Sequence, residues 1–118
     1  MIIEKEVDTM TFDEYQELSK ETAIYPNVGS NFDYPTFGLC GEAGEVAEKV
    51  KKIHRDRGGE VDDECKAAVA KELGDVLYYV AAVAWEFGLS MDYVAKNNVE
   101  KLHSRMERGK LRGDGDNR

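Results

Sequence analysis

The chain is short of cysteine, long apolar runs and basic charge, and each shortage removes a class of protein. Its two cysteines, Cys40 and Cys65, stand 25 residues apart with no second pair. That spacing supplies neither a zinc motif nor a disulfide framework, so two reduced thiols are expected. No run of about 18 apolar residues is present, so no segment is expected to span a membrane. The charged opening, Met1 to Asp8, lacks the apolar stretch of a signal peptide, and a cytoplasmic location is expected. With 16 Lys and Arg against 24 Asp and Glu, the net charge is −8. This excludes general binding to duplex nucleic acid, which needs a basic footprint.

The 118 residues are enough for one compact domain. Burial stays incomplete at this size, so surplus apolar surface is expected to be covered by a partner subunit. Charge is uneven along the chain. From Lys96 to Arg118 seven basic residues face four acidic ones, a balance of +3, and the rest carries nine against twenty, a balance of −11. A metal-and-polyphosphate site is compatible with this asymmetry, and so is an acidic surface with a basic helix end.

Periodicity predicts an all-α fold of four helices. Thr11 and Glu14 form a capping box opening a first helix with Phe12, Tyr15, Leu18 and Ala23 on its apolar side, ended by Tyr25-Pro26. The stretch from Tyr25 to Pro35 reads as a loop. A second helix is predicted from Thr36 to His54, broken by the Gly58-Gly59 turn. A third starts at Asp62 or Asp63 and runs to Phe87, stopped by Gly88. Ser90 caps a fourth, which Gly109 ends; Lys110 to Arg118 has no period and reads as an extended tail. Two helices carry oddities. Gly38, Gly41 and Gly44 recur every third residue, as a closely packed backbone or ligand requires, although a frayed helix start would also allow them. Val76 to Trp85 holds no charge, so the third helix is expected to be buried on all sides, its outer side by another subunit.

Glu42 and Glu45 lie three apart on the second helix, and Glu72 and Asp75 three apart on the third. Positions i and i+3 project from one face, so each pair can share a cation once the two helices fold back on each other. The first pair alone reads more readily as a solvated face, with Lys49 four residues after Glu45. The third helix decides the matter. At about 100° per residue, Glu72 and Asp75 share an arc with Val76, Tyr79 and Val83, and Lys66 and Lys71 lie off it. Buried carboxylates need a partner, and a metal is the one expected. An all-oxygen set selects Mg²⁺ or Mn²⁺. A di-iron bundle would want two Glu-x-x-His motifs, and only Glu100 to His103 offers one. Asn98, Lys101 and Arg105 form one stripe of the fourth helix, suited either to phosphate oxygens or to the helix dipole.

In this order the motifs resemble the MazG-like nucleotide pyrophosphohydrolases. Gly38-Leu-Cys-Gly-Glu42-Ala-Gly-Glu45-Val46 is similar to the family's first metal helix, and Lys71-Glu72-Leu-Gly-Asp75-Val-Leu-Tyr-Tyr79 to its second. Asn98-Val-Glu-Lys101-Leu-His-Ser-Arg105 resembles its phosphate-contacting segment, and Gly113 to Arg118 the ending of a small stand-alone bacterial and phage branch. The resemblance implies hydrolysis of a nucleoside triphosphate between the α and β phosphates. It also implies Mg²⁺, for which Mn²⁺ can substitute, and a homodimer or homotetramer. Under it Glu42, Glu45, Glu72 and Asp75 ligate metal, and Asn98, Lys101 and Arg105 hold phosphates. Tyr79 sits at the sugar, and Tyr25, Asn31, Tyr34 and Phe37 line the base. Some relatives carry an additional glutamate where this chain has Gly41, which leaves the general base open. Superfamily members acting on dUTP, dCTP or phosphoribosyl-ATP are the nearest alternatives, and a non-catalytic helical module that binds a nucleotide or a partner protein is the more distant one.

Overall fold

The computed structural model describes residues 9–118, and among these it contains four helices and no strand. They are α1 (Phe12–Lys20), α2 (Asp33–Arg57), α3 (Asp63–Glu86) and α4 (Met91–Glu107). The all-α expectation holds. The segment read for a leader, residues 1–8, lies outside the described residues.

Most helix ends follow local chemistry. The Thr11 hydroxyl accepts from the Glu14 amide, and the Glu14 carboxylate accepts from the Thr11 amide, completing the capping box. Asp62 and Ser90 cap α3 and α4 by accepting from the amides of Cys65 and Tyr93. Gly58, with φ +61°, closes α2 in the left-handed conformation that only glycine adopts without strain.

Three boundaries differ from the sequence reading. α1 stops at Lys20 rather than at Tyr25-Pro26, because the Thr22 and Ala23 amides turn back to the Ser19 and Lys20 carbonyls. α2 begins at Asp33, before Pro35, since a first-turn proline has no intrahelical amide bond to lose. It also continues past His54 to Arg57. The Asn31 side-chain oxygen steadies its start by accepting from the Tyr34 amide at 3.1 Å.

α2 and α3 pack along their length as a hairpin, and Arg57 pairs with Asp62 and Glu64 across the turn. α1 lies over the C-terminal half of α3 and the beginning of α4. Buried Gln16 joins all three helices there. Its amide donates to the Ala81 and Leu89 carbonyls, and its oxygen accepts from the Met91 amide. Around it, Ala81, Ala84 and Met91 pack with Tyr15, Leu77, Val80 and Trp85. The starts of α1 and α4 cap each other reciprocally. Asp13 accepts from the Asp92 amide at 2.9 Å and from the Ser90 hydroxyl at 2.7 Å, and Asp92 accepts from the Asp13 amide at 3.2 Å.

A single chain covers its apolar surface poorly. Phe37 is 71% exposed, and Leu73, Val99 and Met106 are each more than half exposed. The radius of gyration is 17.0 Å, against about 13–14 Å for a compact domain of this length. In the uncharged stretch of α3, Ala81, Ala82 and Ala84 are buried and Val76 to Val80, Val83 and Trp85 half-buried, so one chain encloses it only in part. The tail 110–118 is also not extended. Arg118 donates to the Lys110, Leu111 and Gly115 carbonyls, and Arg105 donates to the Asp116 carbonyl, curling the tail onto α4.

Candidate active site

The α2/α3 hairpin brings together three of the four expected carboxylates. Oxygens of Glu42, Glu72 and Asp75 lie within 4.8 Å of one another. One hard cation would draw these oxygens closer together. Glu45 is exposed, one turn further along α2, and its oxygens fall outside the cluster. The Glu42 carboxyl is pushed above its ordinary value, first by desolvation and then by the charges of Asp75, Glu72 and Glu45. The oxygen-only donor set and the mutual repulsion both fit a divalent cation.

The acids do not lie in an apolar interior, as their shared arc with Val76 and Tyr79 suggested. Asp75 is exposed and Glu72 half-buried, because one hairpin leaves the cluster's outer side open. Nor does Lys49 pair with Glu45 on its own helix. Its Nζ lies 3.9 Å from Glu72 across the seam, so the charge partner missing along α3 comes from α2.

Beside the cluster stands an aromatic wall. The Tyr79 ring lies against the α2 backbone at Gly38, where a β-carbon would meet Cε1 at 2.5 Å. Gly38 therefore has the close neighbour that the glycine row implied. Among the described residues, Gly41 and Gly44 have none within 4 Å. Desolvation raises the Tyr79 phenol's pKa, and Tyr34, Tyr78, Glu42 and Asp75 add to the shift. Tyr34 is 45% exposed and stacks on Tyr25 with ring centroids 4.9 Å apart. Tyr25 itself is buried, its hydroxyl held between Glu86 and Trp85, and Asn31 is tied to the backbone at Pro26 and Tyr34. Of the residues expected at the base, Tyr34 and Phe37 thus present open surface, while Tyr25 and Asn31 build the loop behind them.

Asn98, Lys101 and Arg105 are not brought to the carboxylates. Among the described residues they make no hydrogen bond or ion pair with α2 or α3. Lys101 instead lies 3.7 Å from Asp116. Arg105 is 5% exposed, its guanidinium donating to the Asp116 carbonyl at 2.6 Å.

The model of the MazG nucleotide pyrophosphohydrolase domain matches residues 36–109. The chain belongs to the MazG family. A relative, the Gene 37 protein of Mycobacterium phage L5, is 45% identical over 114 residues, covering 92% of this chain and all of that one. The uncharacterized protein YvdC of Bacillus subtilis is 39% identical over 74 residues, 58% of this chain and 70% of its own. No solved structure gives a significant match. Membership places this MazG chain among nucleotide pyrophosphohydrolases, a class of hydrolase. No helix among the described residues is long and apolar enough to cross a membrane.

One residue of this MazG domain that sequence reasoning passed over is Glu86. It accepts from the Tyr25 hydroxyl at 2.7 Å and from the amides of Gly29 and Asn31 at 2.6 Å each. Burial pushes its pKa up, but these donors outweigh burial and hold the carboxyl below its ordinary value. The available signal was an acid at a helix C-terminus, where the dipole disfavours it.

Proposed function

We propose that this MazG domain hydrolyses nucleoside triphosphates between the α and β phosphates, with Mg²⁺ or Mn²⁺, giving a monophosphate and pyrophosphate. The observation that carries this reading is the convergence of Glu42, Glu72 and Asp75 from two helices beside an aromatic wall. Those three carboxylates would hold the cation, and Glu45, one turn along α2, adds negative charge to its surroundings. When bound, the cation neutralises phosphate charge and makes a coordinated water more acidic.

The chain's own groups have definable tasks. Tyr79, seated on Gly38, fixes the sugar, and Tyr34 and Phe37 offer apolar surface to the base. A water oxygen forms a bond to the α phosphorus while the bond from that phosphorus to the bridging oxygen breaks. The leaving pyrophosphate takes the electron pair. With Gly41 in place of an additional glutamate, the water's proton passes to a carboxylate oxygen of the cluster. Asn98, Lys101 and Arg105 would neutralise charge on the phosphates.

A second copy of the chain belongs to this reading, as a homodimer or homotetramer. Its support is the open radius of gyration, the exposed Phe37, Leu73, Val99 and Met106, and the lack, among the described residues, of any polar contact between the α4 stripe and α2 or α3. Nucleic acid and membrane have no part in it, and the site of action is the cytoplasm of a bacterial or phage-infected cell. Chromatography of the products from the eight common NTPs and dNTPs and from dUTP, with Mg²⁺ and with Mn²⁺, tests the assignment. Monophosphate with pyrophosphate is expected. Diphosphate with phosphate, or no turnover, would defeat it, and turnover confined to dUTP or dCTP would narrow the substrate.

A further inference from the structure

We propose that Glu86 is a positioning residue for the nucleoside end of the substrate, acting through Tyr25 and Tyr34. This rests on the nucleotide-hydrolase reading above. Glu86 is the last residue of α3, yet its two oxygens face the loop leading into α2. One takes the Tyr25 hydroxyl and the Gly29 amide, and the other takes the Asn31 amide. The Trp85 indole donates to the same Tyr25 hydroxyl at 2.8 Å. Hydrogen bonds to an ionised carboxylate are shorter and stronger than neutral ones, so the loop is pinned at three points.

The pin continues into the pocket wall. Tyr25 is 7% exposed and nearly parallel to Tyr34, with 12° between the ring planes. Tyr34 lies in the first turn of α2, one turn before Gly38, where the Tyr79 ring rests. Glu86 therefore fixes Tyr25, Tyr25 backs Tyr34, and Tyr34 and Tyr79 flank the side of the site away from the phosphates. A residue that only steadied the fold would affect every ligand alike. One that sets this wall affects ligands carrying a nucleoside.

The test measures binding of non-hydrolysable α,β-imido nucleoside triphosphates, and of inorganic triphosphate, to the full chain with Mg²⁺. Glu86→Gln is expected to weaken the nucleoside probes about fivefold, the scale of one aromatic contact, and to leave inorganic triphosphate unchanged. In a Tyr34→Leu background it should add no further loss, because the two substitutions remove the same contact. Tyr25→Phe keeps the carboxylate and both amide bonds and should give a smaller loss of the same selectivity, so it carries the test if Glu86→Gln does not fold. Equal losses for both kinds of probe, no loss, or additive losses would overturn the proposal. Wild-type chain that binds the analogues without turning over NTPs defeats the hydrolase reading and leaves Glu86 standing. Wild-type turnover with unaltered binding by Glu86→Gln defeats Glu86 alone.

Discussion

Replacing Gly38 with alanine should do the opposite of replacing Gly41, although both lie within the same helix. In a helix interior Gly→Ala normally gains about 1 kcal/mol. At Gly41 the new methyl meets nothing within 4 Å among the described residues, so the gain should be realised. At Gly38 it would meet Tyr79 Cε1, Cζ and Cδ1 at 2.5, 2.6 and 2.7 Å. Carbon atoms settle about 3.5–4.0 Å apart, so the ring must retreat by roughly an ångström. The same ring packs edge-on with Tyr78, with a centroid distance of 5.1 Å. Overpacking of this kind costs about 1–3 kcal/mol, enough to cancel the helix gain and leave a net loss of up to about 2 kcal/mol. Urea denaturation followed by circular dichroism reads both variants. The midpoint should rise for Gly41→Ala and fall for Gly38→Ala, and KM for nucleotide should rise only in the latter. If Gly38→Ala stabilises the chain as much as Gly41→Ala, Tyr79 does not rest on the α2 backbone and the reasoning fails.

Glu72→Gln and Asp75→Asn should each reduce pyrophosphate release more than about a hundredfold while leaving the helical circular dichroism intact; turnover surviving both would exclude the carboxylate mechanism. Because the Glu42 carboxyl is raised in the folded chain, its protonated form is favoured there. Its contribution to stability is complete below the ordinary value of 4.5 and is lost as pH rises through the higher folded value. Thermal melts in EDTA should show this decline in wild type, absent from Glu42→Gln and relieved by Mg²⁺; identical pH profiles for the two chains would refute it. Gln16→Leu strands the Met91 amide and the Leu89 carbonyl and should cost about 3 kcal/mol, read as a drop in the denaturation midpoint.

The legible parts of the sequence were those set by neighbours in the chain. The caps at Thr11, Asp62 and Ser90 and the turn at Gly58 lie where local hydrogen bonding puts them. The Glu42, Glu72 and Asp75 convergence was legible in part from i,i+3 spacing on two adjoining helices, although Glu45, which shares that spacing, stands outside it. What spacing alone could not give depended on tertiary contacts. Lys49 reaches Glu72 across the seam, Arg105 is buried by a tail without periodicity, and Glu86 finds its donors 55 to 61 residues away. Pro35 was misleading for a different reason, since it marks a helix start as readily as a loop's end.

The handshake between Asp13 and Asp92 has a further consequence for how the chain divides into working parts. α1 has nine residues, below the roughly 12–15 at which a helix holds its own in water. Its order is borrowed from the helix it steadies. The family match begins at residue 36, beyond α1. A fragment starting there would keep the acidic hairpin but lose the bearing that α1 gives α4, leaving Lys101 on a lever hinged at Met91 and residues 87–90.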